Sequence, residues 1–340
     1  MTIDANPFSV HLLGFDNGVG LTRNLHLLTG TLEALGYRVD FTNTRRRGGI
    51  PGLIQRVACK RHAAGLAHRH RRGLAPPYDF VLMEEHIAPA FLADAPRRVL
   101  LPHPEWFLPR DLEALDRIDL VLAKTREARR VFAAQGCRAA CIGFTSEDRL
   151  DPAVARERRF FHLAGSSRTK NTEPLLALWR RHPEWPRLTV VQHPGEAKPG
   201  IMAANIDHRI GYLDDTELKR LQNAHRFHLC PSETEGFGHY IVEAMSAGAV
   251  VITLDAPPMN EMITPERGML VPYSRTGTQH LATTFYSDDT AMEQAIERAL
   301  ATDDTHCEAL GAAARAWYEA ERAAFPARLD AALRGMEARA

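Results

Sequence analysis

The densest chemistry in the sequence lies in residues 230–261, CPSETEGFGHYIVEAMSAGAVVITLDAPPMNE. Two carboxylates frame a glycine-rich turn. Glu235 precedes Gly236, Phe237 and Gly238, and Glu243 follows with seven residues between the two. An ionised carboxylate accepts several hydrogen bonds, so it can hold two adjacent hydroxyls, as a sugar ring presents them. Glycines let a ligand approach the backbone closely. The helix expected to begin near His239 offers unpaired N–H groups and a partial positive charge, which suit a diphosphate. Glu243, about one turn into that helix, is placed to reach a ribose. Glu235, ahead of the glycines, is placed to reach a hexose. The alternative is an ordinary strand–loop–helix carrying surface glutamates. The longer pattern argues against it: E-G-F-G-x-x-x-x-E is followed by A-M-x-A-G-x-V-V-I and then by Glu261.

Other stretches carry chemistry less specifically. FFHLAGSSRTKN brings Arg168 and Lys170 together after an apolar run. DNGVGL puts Gly18 and Gly20 at a strand-to-helix turn, and a lone G-x-G is weak by itself. His103 stands between two prolines in LPHPE, and Glu84, Glu85 and His86 end another apolar run. Two carboxylates alone would also fit a glycosidase pair, but no second feature supports that chemistry. Cys137 and Cys141 have no second ligand pair nearby, against the four ligands of structural zinc.

The elements that must position these residues are short apolar runs alternating with helical patterns. Strands are expected over 9–15, 37–41, 80–83, 98–101, 120–123 and 140–144. A helix is expected over 21–35, where Leu25, Leu28, Leu32 and Leu35 recur at helical spacing before Gly36. The pattern restarts with strands at 160–164, 188–192, 208–211, 227–230 and 250–254, and a helix at 173–181. Such alternation indicates parallel strands with crossover helices. In the helix after His239, Tyr240, Ile241, Ala244, Met245 and Gly248 should form one buried stripe. The polar stretch 145–159 is the expected boundary between two Rossmann-like α/β domains, 1–150 and 157–322. The tail 323–340 is helical, and Pro326 should break or kink it.

On these motifs the sequence resembles the retaining, nucleotide-sugar-dependent glycosyltransferases of family 4. The resemblance is strong over 160–271 and weaker, in register, over the first 150 residues. It implies the GT-B fold, two Rossmann-like α/β domains facing across a cleft, with the tail packing back on the N-terminal domain. By this resemblance Glu235 meets the donor sugar, the Phe237-Gly238 backbone contacts sugar and phosphate, and Glu243 binds the ribose. His239 starts the donor-binding helix. Lys170 and Arg168 oppose the diphosphate as it leaves, although Ser166 stands where the family usually has its arginine and Arg168 is two residues late. Gly18 and Gly20 lie near the donor phosphate, and His103 lies near the transferred sugar. The implied reaction moves a hexose to a saccharide or lipid-linked acceptor, in cell-surface polysaccharide or lipopolysaccharide synthesis. Cations and a helix end would replace a divalent metal, so no metal and no other cofactor is expected. The alternatives are another acceptor, such as a nucleic acid or a small molecule, or a phosphorylase or epimerase on the same fold.

Composition bounds the rest. The 340 residues suggest about two domains. With 45% apolar residues and no net charge, the chain can bury a sizeable core and is not disordered as a whole. No apolar run approaches the ~20 residues of a membrane span. The N-terminal residues lack a basic start followed by an apolar stretch, so no secretory signal is expected. Five scattered cysteines argue for a reducing compartment, and a cytoplasmic location is expected. The neutral total hides an asymmetry. Residues 41–78 hold nine Lys/Arg and no Asp or Glu, leaving the remainder at −9. Within residues 45–72, Ile50, Leu53, Ile54 and Val57 fall at helical spacings among Arg56, Lys60 and Arg61. A peripheral contact with an anionic membrane at its inner surface follows as an expectation. Nucleic acid is the weaker alternative, because the segment almost lacks interleaved aromatics before Tyr78.

Overall fold

The structure is a computed structural model and describes residues 8–16, 18, 20–44, 49–198 and 203–336. Arg45, Arg46 and Arg47 of the basic segment lie outside the described residues, as do the side chains of Ile50 and Arg56. The chain divides into two compact units, one of Met1–Phe144 with Ala324–Ala340 and one of Thr145–Ala323.

Unit 1 is built on a six-stranded parallel sheet. Its strands are β1 (Ser9–Gly14), β2 (Arg38–Asn43), β3 (Phe80–Glu84), β4 (Arg97–Leu101), β5 (Leu120–Ala123) and β6 (Ala139–Cys141), in the order β2-β1-β3-β4-β5-β6. β1, β3 and β5 are buried along their whole length, as continuous apolar runs in a covered parallel sheet should be. The helices are α1 (Gly20–Ala34), α2 (Gly49–Arg71), the short α3 (Pro109–Leu112) and α4 (Arg126–Ala134). α1 buries Leu21, Leu25, Leu28 and Leu32, and Gly36 follows it at φ 86°, the left-handed conformation that closes a helix. α2 is anchored by His62, whose Nε2 bonds Asp94 Oδ1 at 2.6 Å; the other oxygen of Asp94 bonds His11 Nδ1.

Unit 2 repeats the plan. β7 (Glu157–Gly165), β8 (Leu188–Gln192), β9 (Ile206–Ile210), β10 (His225–Cys230), β11 (Val250–Leu254) and β12 (Met269–Val271) form a parallel sheet in the order β12-β11-β10-β7-β8-β9. Around it lie α5 (Thr172–Arg181), α6 (Asp215–Ala224), α7 (His239–Ser246), the short α8 (Met259–Met262) and α9 (Asp289–Ala301). The core stacks Phe160 on Phe227 at 4.9 Å, with Trp179 edge-on to Phe160 at 5.0 Å. An antiparallel hairpin, β13 (Arg275–Gln279) with β14 (Ala282–Tyr286), interrupts the β/α alternation.

The last helix, α10 (Asp304–Arg334), runs unbroken through Pro326; of the expected break or kink, the break does not occur. Its residues from Ala324 belong to unit 1. There Phe325, Leu329 and Leu333 are buried, Phe325 meets Phe144 edge-on at 4.9 Å, and Tyr37 Oη donates to Asp330 at 2.7 Å. Burial of that stripe on both sides of the proline offsets the lost backbone donor.

Candidate functional site

In unit 2 the strand order reverses between β7 and β10, the first strand and the fourth. Ligands bind open α/β sheets in the crevice at the carboxyl ends of the strands flanking such a switch point. The two loops that leave those ends, 166–171 and 231–238, are the ones carrying Lys170 and Glu235. They are bonded to each other: Glu233 N donates to Thr169 O at 2.8 Å, and Asn171 Nδ2 to Pro231 O at 2.8 Å. Asn171 adopts φ 52°, a left-handed conformation that asparagine tolerates, as it leads into α5. The Lys170 ammonium donates to Leu163 O at 2.9 Å and stands 4.0 Å above the Tyr240 ring.

Ser232 Oγ donates to Glu235 Oε1 at 2.6 Å and also bonds the Tyr240 hydroxyl. A hydroxyl has one proton, so Tyr240 is the donor of that second bond. Burial raises the Glu235 carboxyl above its usual range, while the Lys170 charge and the Ser232 bond pull it down. The hairpin closes on the same loop, with Phe285 N donating to Glu233 O at 2.8 Å.

α7 follows. Gly238, at its N-cap, has φ 86°, and a Cβ there would press on Ile241 and Met262 at 3.2 and 3.3 Å. The left-handed φ favours glycine, and a larger residue would also have to push those two side-chain ends aside. The Phe237 ring meets the His239 ring edge-on at 5.2 Å, and Ser146 Oγ bonds His239 Nδ1 at 2.7 Å. Glu243, almost fully buried, accepts from Gln222 Nε2 at 2.9 Å. Every residue from Tyr240 to Ala247 is buried, so the expected single apolar stripe is corrected to a helix enclosed all round. α10 contributes to that enclosure: Gly311 packs so closely on Gly248 that a Cβ would meet Gly248 O at 2.3 Å.

Lys170, Glu235, Phe237, Gly238, His239 and Glu243 thus share one edge of unit 2. Arg168 turns away. Its side chain is 83% exposed and its Nε donates to Glu196 at 2.6 Å. Gly236 is buried within the loop.

Gly18, Gly20 and His103 belong to unit 1, whose order reverses between β1 and β3. Gly18 and Gly20 are exposed in the turn after β1, where Gly18 N donates to Thr22 Oγ1 at 2.6 Å. Glu84 ends β3, buried beside Asn24, and burial pushes its carboxyl up to about 7. Glu85 follows at φ 66°, a strained conformation for a residue with a side chain. His103 is buried after β4. Its Nε2 takes a hydrogen bond from Lys124 Nζ at 2.8 Å, and its Nδ1 lies 3.5 Å from Glu85 Oε1. Lys124 only donates, so the proton of the neutral ring sits on Nδ1. Burial and the lysine hold His103 down to about 4. Lys124 is itself held down to about 8 by burial, against the charges of Glu84, Glu105 and Glu85. Sequence reasoning missed Lys124. A lysine ending the apolar run LVLA, where the strand dives into the core, was the available signal. It also missed Gln222, which nothing local distinguishes. Among the described residues, no group of three or more His, Cys, Asp or Glu is arranged to hold a metal ion, and no helix is long and apolar enough to cross a membrane.

Residues 206–317, which include the loop with Glu235 and all of α7, match the family model described as glycosyl transferases group 1. No curated protein matches the chain by sequence. Solved structures share its fold at low identity. Sucrose-phosphate synthase from Thermosynechococcus elongatus has a TM-score of 0.71 and 16% identity, over 98% of this chain and 100% of that one. A lipopolysaccharide outer core galactosyltransferase, WaaB, gives 0.69 and 11%, over 96% and 99%. HepE from Anabaena, in complex with UDP and glucose, gives 0.67 and 15%, over 96% and 99%. The two Rossmann-like units are those of the GT-B fold, and the match over 206–317 marks the chain as a glycosyltransferase.

Proposed function

We propose that the chain is a retaining glycosyltransferase of family 4 that moves a hexose from a nucleotide diphosphate sugar to a hydroxyl of a saccharide or lipid-linked acceptor, in cell-surface polysaccharide or lipopolysaccharide synthesis. The observation that carries this reading is the meeting of Lys170, Glu235 and the start of α7 at the switch point of unit 2. In this reading the diphosphate lies against the Lys170 ammonium and the first N–H groups of α7. Glu243 accepts from the ribose hydroxyls and Glu235 from a hydroxyl of the hexose. The acceptor oxygen attacks the anomeric carbon on the face from which the phosphate departs. The C–O bond to acceptor forms as the C–O bond to phosphate breaks, and the acceptor proton passes to the leaving phosphate oxygen. The products are a glycoside and a nucleoside diphosphate. Lys170 and the helix end answer the growing negative charge, so the reaction proceeds without a divalent metal. The neighbouring structure that holds UDP and glucose supports a donor of this class.

The test is a panel of UDP-, GDP-, ADP- and dTDP-sugars, read by thermal stabilisation and by release of nucleoside diphosphate. One donor should stabilise the protein and be slowly hydrolysed without added metal. Sugar release that needs inorganic phosphate and no nucleotide would replace this reading with a phosphorylase.

For the acceptor, the reading places the enzyme in the cytoplasm at the inner membrane surface. α2 supports it. Its His62 and Leu66 turn inward, while Leu53, Ile54 and Val57 are exposed at 58%, 65% and 42%, on a helix whose charges are all basic. Exposed apolar side chains followed on the same helix by Lys60 and Arg61 suit an anionic bilayer better than plain solvent. Salt-sensitive co-sedimentation with anionic but not neutral vesicles is expected, and tight DNA binding without vesicle binding would favour a nucleic acid instead.

A further inference from the structure

Inside unit 2 a chain of hydrogen bonds reaches Glu243 from the segment that opens the unit. Arg149 is almost wholly buried. Its Nη1 pairs with Asp215 Oδ1 at 2.8 Å, and its Nε donates to Gln222 Oε1 at 2.8 Å. Gln222, equally buried, donates from Nε2 to Glu243 Oε2 at 2.9 Å. A guanidinium can only donate, and an amide has one oxygen and one NH2 group. With Arg149 on the oxygen, the amide nitrogen has to face Glu243, so the orientation of Gln222 is not arbitrary. The backbone of Arg149 is held as well: its N donates to Ser246 Oγ at 2.9 Å and its carbonyl accepts from Asn223 Nδ2 at 2.6 Å. Ser246 Oγ in turn donates to Glu243 O at 2.8 Å. Both the carboxylate of Glu243 and its main chain are therefore tied to Arg149.

We propose that Arg149 and Gln222 are positioning residues for the nucleotide: the Asp215–Arg149–Gln222 chain fixes the plane of the Glu243 carboxylate so that it meets the ribose hydroxyls without reorganising. The inference rests on the donor reading above, in which Glu243 is the ribose contact. A carboxylate held in its bound orientation before the ligand arrives loses no rotamer freedom on binding, and supporting hydrogen bonds confer that order. Neither positioning residue touches the ligand in this arrangement. Their effect falls on nucleotide affinity, which ground and transition states share, so KM rises while kcat is nearly preserved.

The experiment uses whichever of UDP, GDP, ADP and dTDP the wild-type protein binds, with the corresponding nucleotide sugar for kinetics. Glu243→Gln is the control for the donor reading. Gln222→Met keeps the volume and removes the donor; it should weaken the nucleotide about tenfold, with kcat within about twofold. Gln222→Glu keeps the bond from Arg149 and sets two carboxyls face to face. Its nucleotide affinity should be poor at pH 8 and recover as the pH falls, because one proton then bridges the pair. A role confined to folding would not produce that pH profile. If Gln222→Met fails to fold, Gln222→Glu decides. If Glu243→Gln weakens the nucleotide while both Gln222 variants bind as wild type at every pH, the positioning role is refuted and the donor reading stands. If Glu243→Gln binds unchanged, the donor reading fails and this inference with it.

Discussion

Glu84 offers a measurable consequence of the buried cluster in unit 1. It ends β3 only 3% exposed, and its carboxylate comes so close to β1 that a Cβ on Gly14 would lie 3.2 Å from Oε2. Burial raises it from its ordinary 4.5 to about 7, with the Lys124 charge and the nearby Asn24 amide opposing. A carboxyl whose folded value is raised stabilises the fold below its unfolded value, and that stability is lost as the pH rises through the folded value. Between pH 5 and pH 8 the loss should reach about 2–3 kcal/mol for Glu84 alone. Glu84→Gln keeps the shape and removes the ionisation. The attraction of Lys124 is already contained in that shift, so the net stabilisation at pH 8 is about 2–3 kcal/mol. In scanning calorimetry the variant should melt about 4–8 °C above wild type at pH 8 and close to it at pH 5. Equal melting differences at the two pH values would refute the reasoning, because an ionised buried carboxylate must show itself as a pH dependence.

The buried histidines of unit 2 should respond to acid in the direction opposite to Glu84. His162 and His228 are fully buried and held down to about 4 and about 3, so below pH 6.5 the unfolded chain takes up protons that the folded one refuses. Urea unfolding followed by tryptophan fluorescence should show a loss of about 4 kcal/mol between pH 7.5 and pH 5, and a flat profile would contradict it. Lys170→Ala should lower kcat about 100-fold with a smaller change in KM, since charge on the leaving diphosphate grows during reaction; an unchanged kcat would remove Lys170 from that role. Gly238→Ala should abolish donor stabilisation and destabilise the fold by about 1–3 kcal/mol, as judged by melting temperature, because its φ is left-handed and its space is filled. Chelation of divalent metal should leave turnover unchanged, and loss of activity restored by Mg2+ would overturn the metal-free reading.

Much of the architecture was legible because parallel strands buried on both faces are continuous apolar runs. Phe160, Val190, Leu229 and Ile252 each sit in such a run. The loop chemistry was legible for a related reason: the residues that meet a ligand at a switch point cluster just after those runs, as Lys170 and Glu235 do. What local pattern does not encode is pairing at a distance. Gln222 and Arg149 lie 73 positions apart, and neither shows in sequence that it serves Glu243. Lys124 follows β5 and His103 follows β4, so only the pairing of those strands brings the two together. Arg168 read as a diphosphate ligand by charge, and Glu196, from a separate loop, competes for it. The burial of α7 on every side depends on α10, some 65 residues away, through the contact of Gly311 with Gly248. Pro326 misled for the opposite reason, since a local rule about helix interiors gave way to tertiary burial of Phe325 and Leu329.

A nucleotide sugar seated at the switch point of unit 2 would cover the Lys170 loop and the start of α7. Hydrogen–deuterium exchange of the full chain, with and without the donor selected by the sugar panel, tests this most directly. Exchange should slow in peptides covering 166–171 and 231–243, where the Lys170 loop and the start of α7 lie. Protection confined to other segments, or none at a saturating donor concentration, would contradict it.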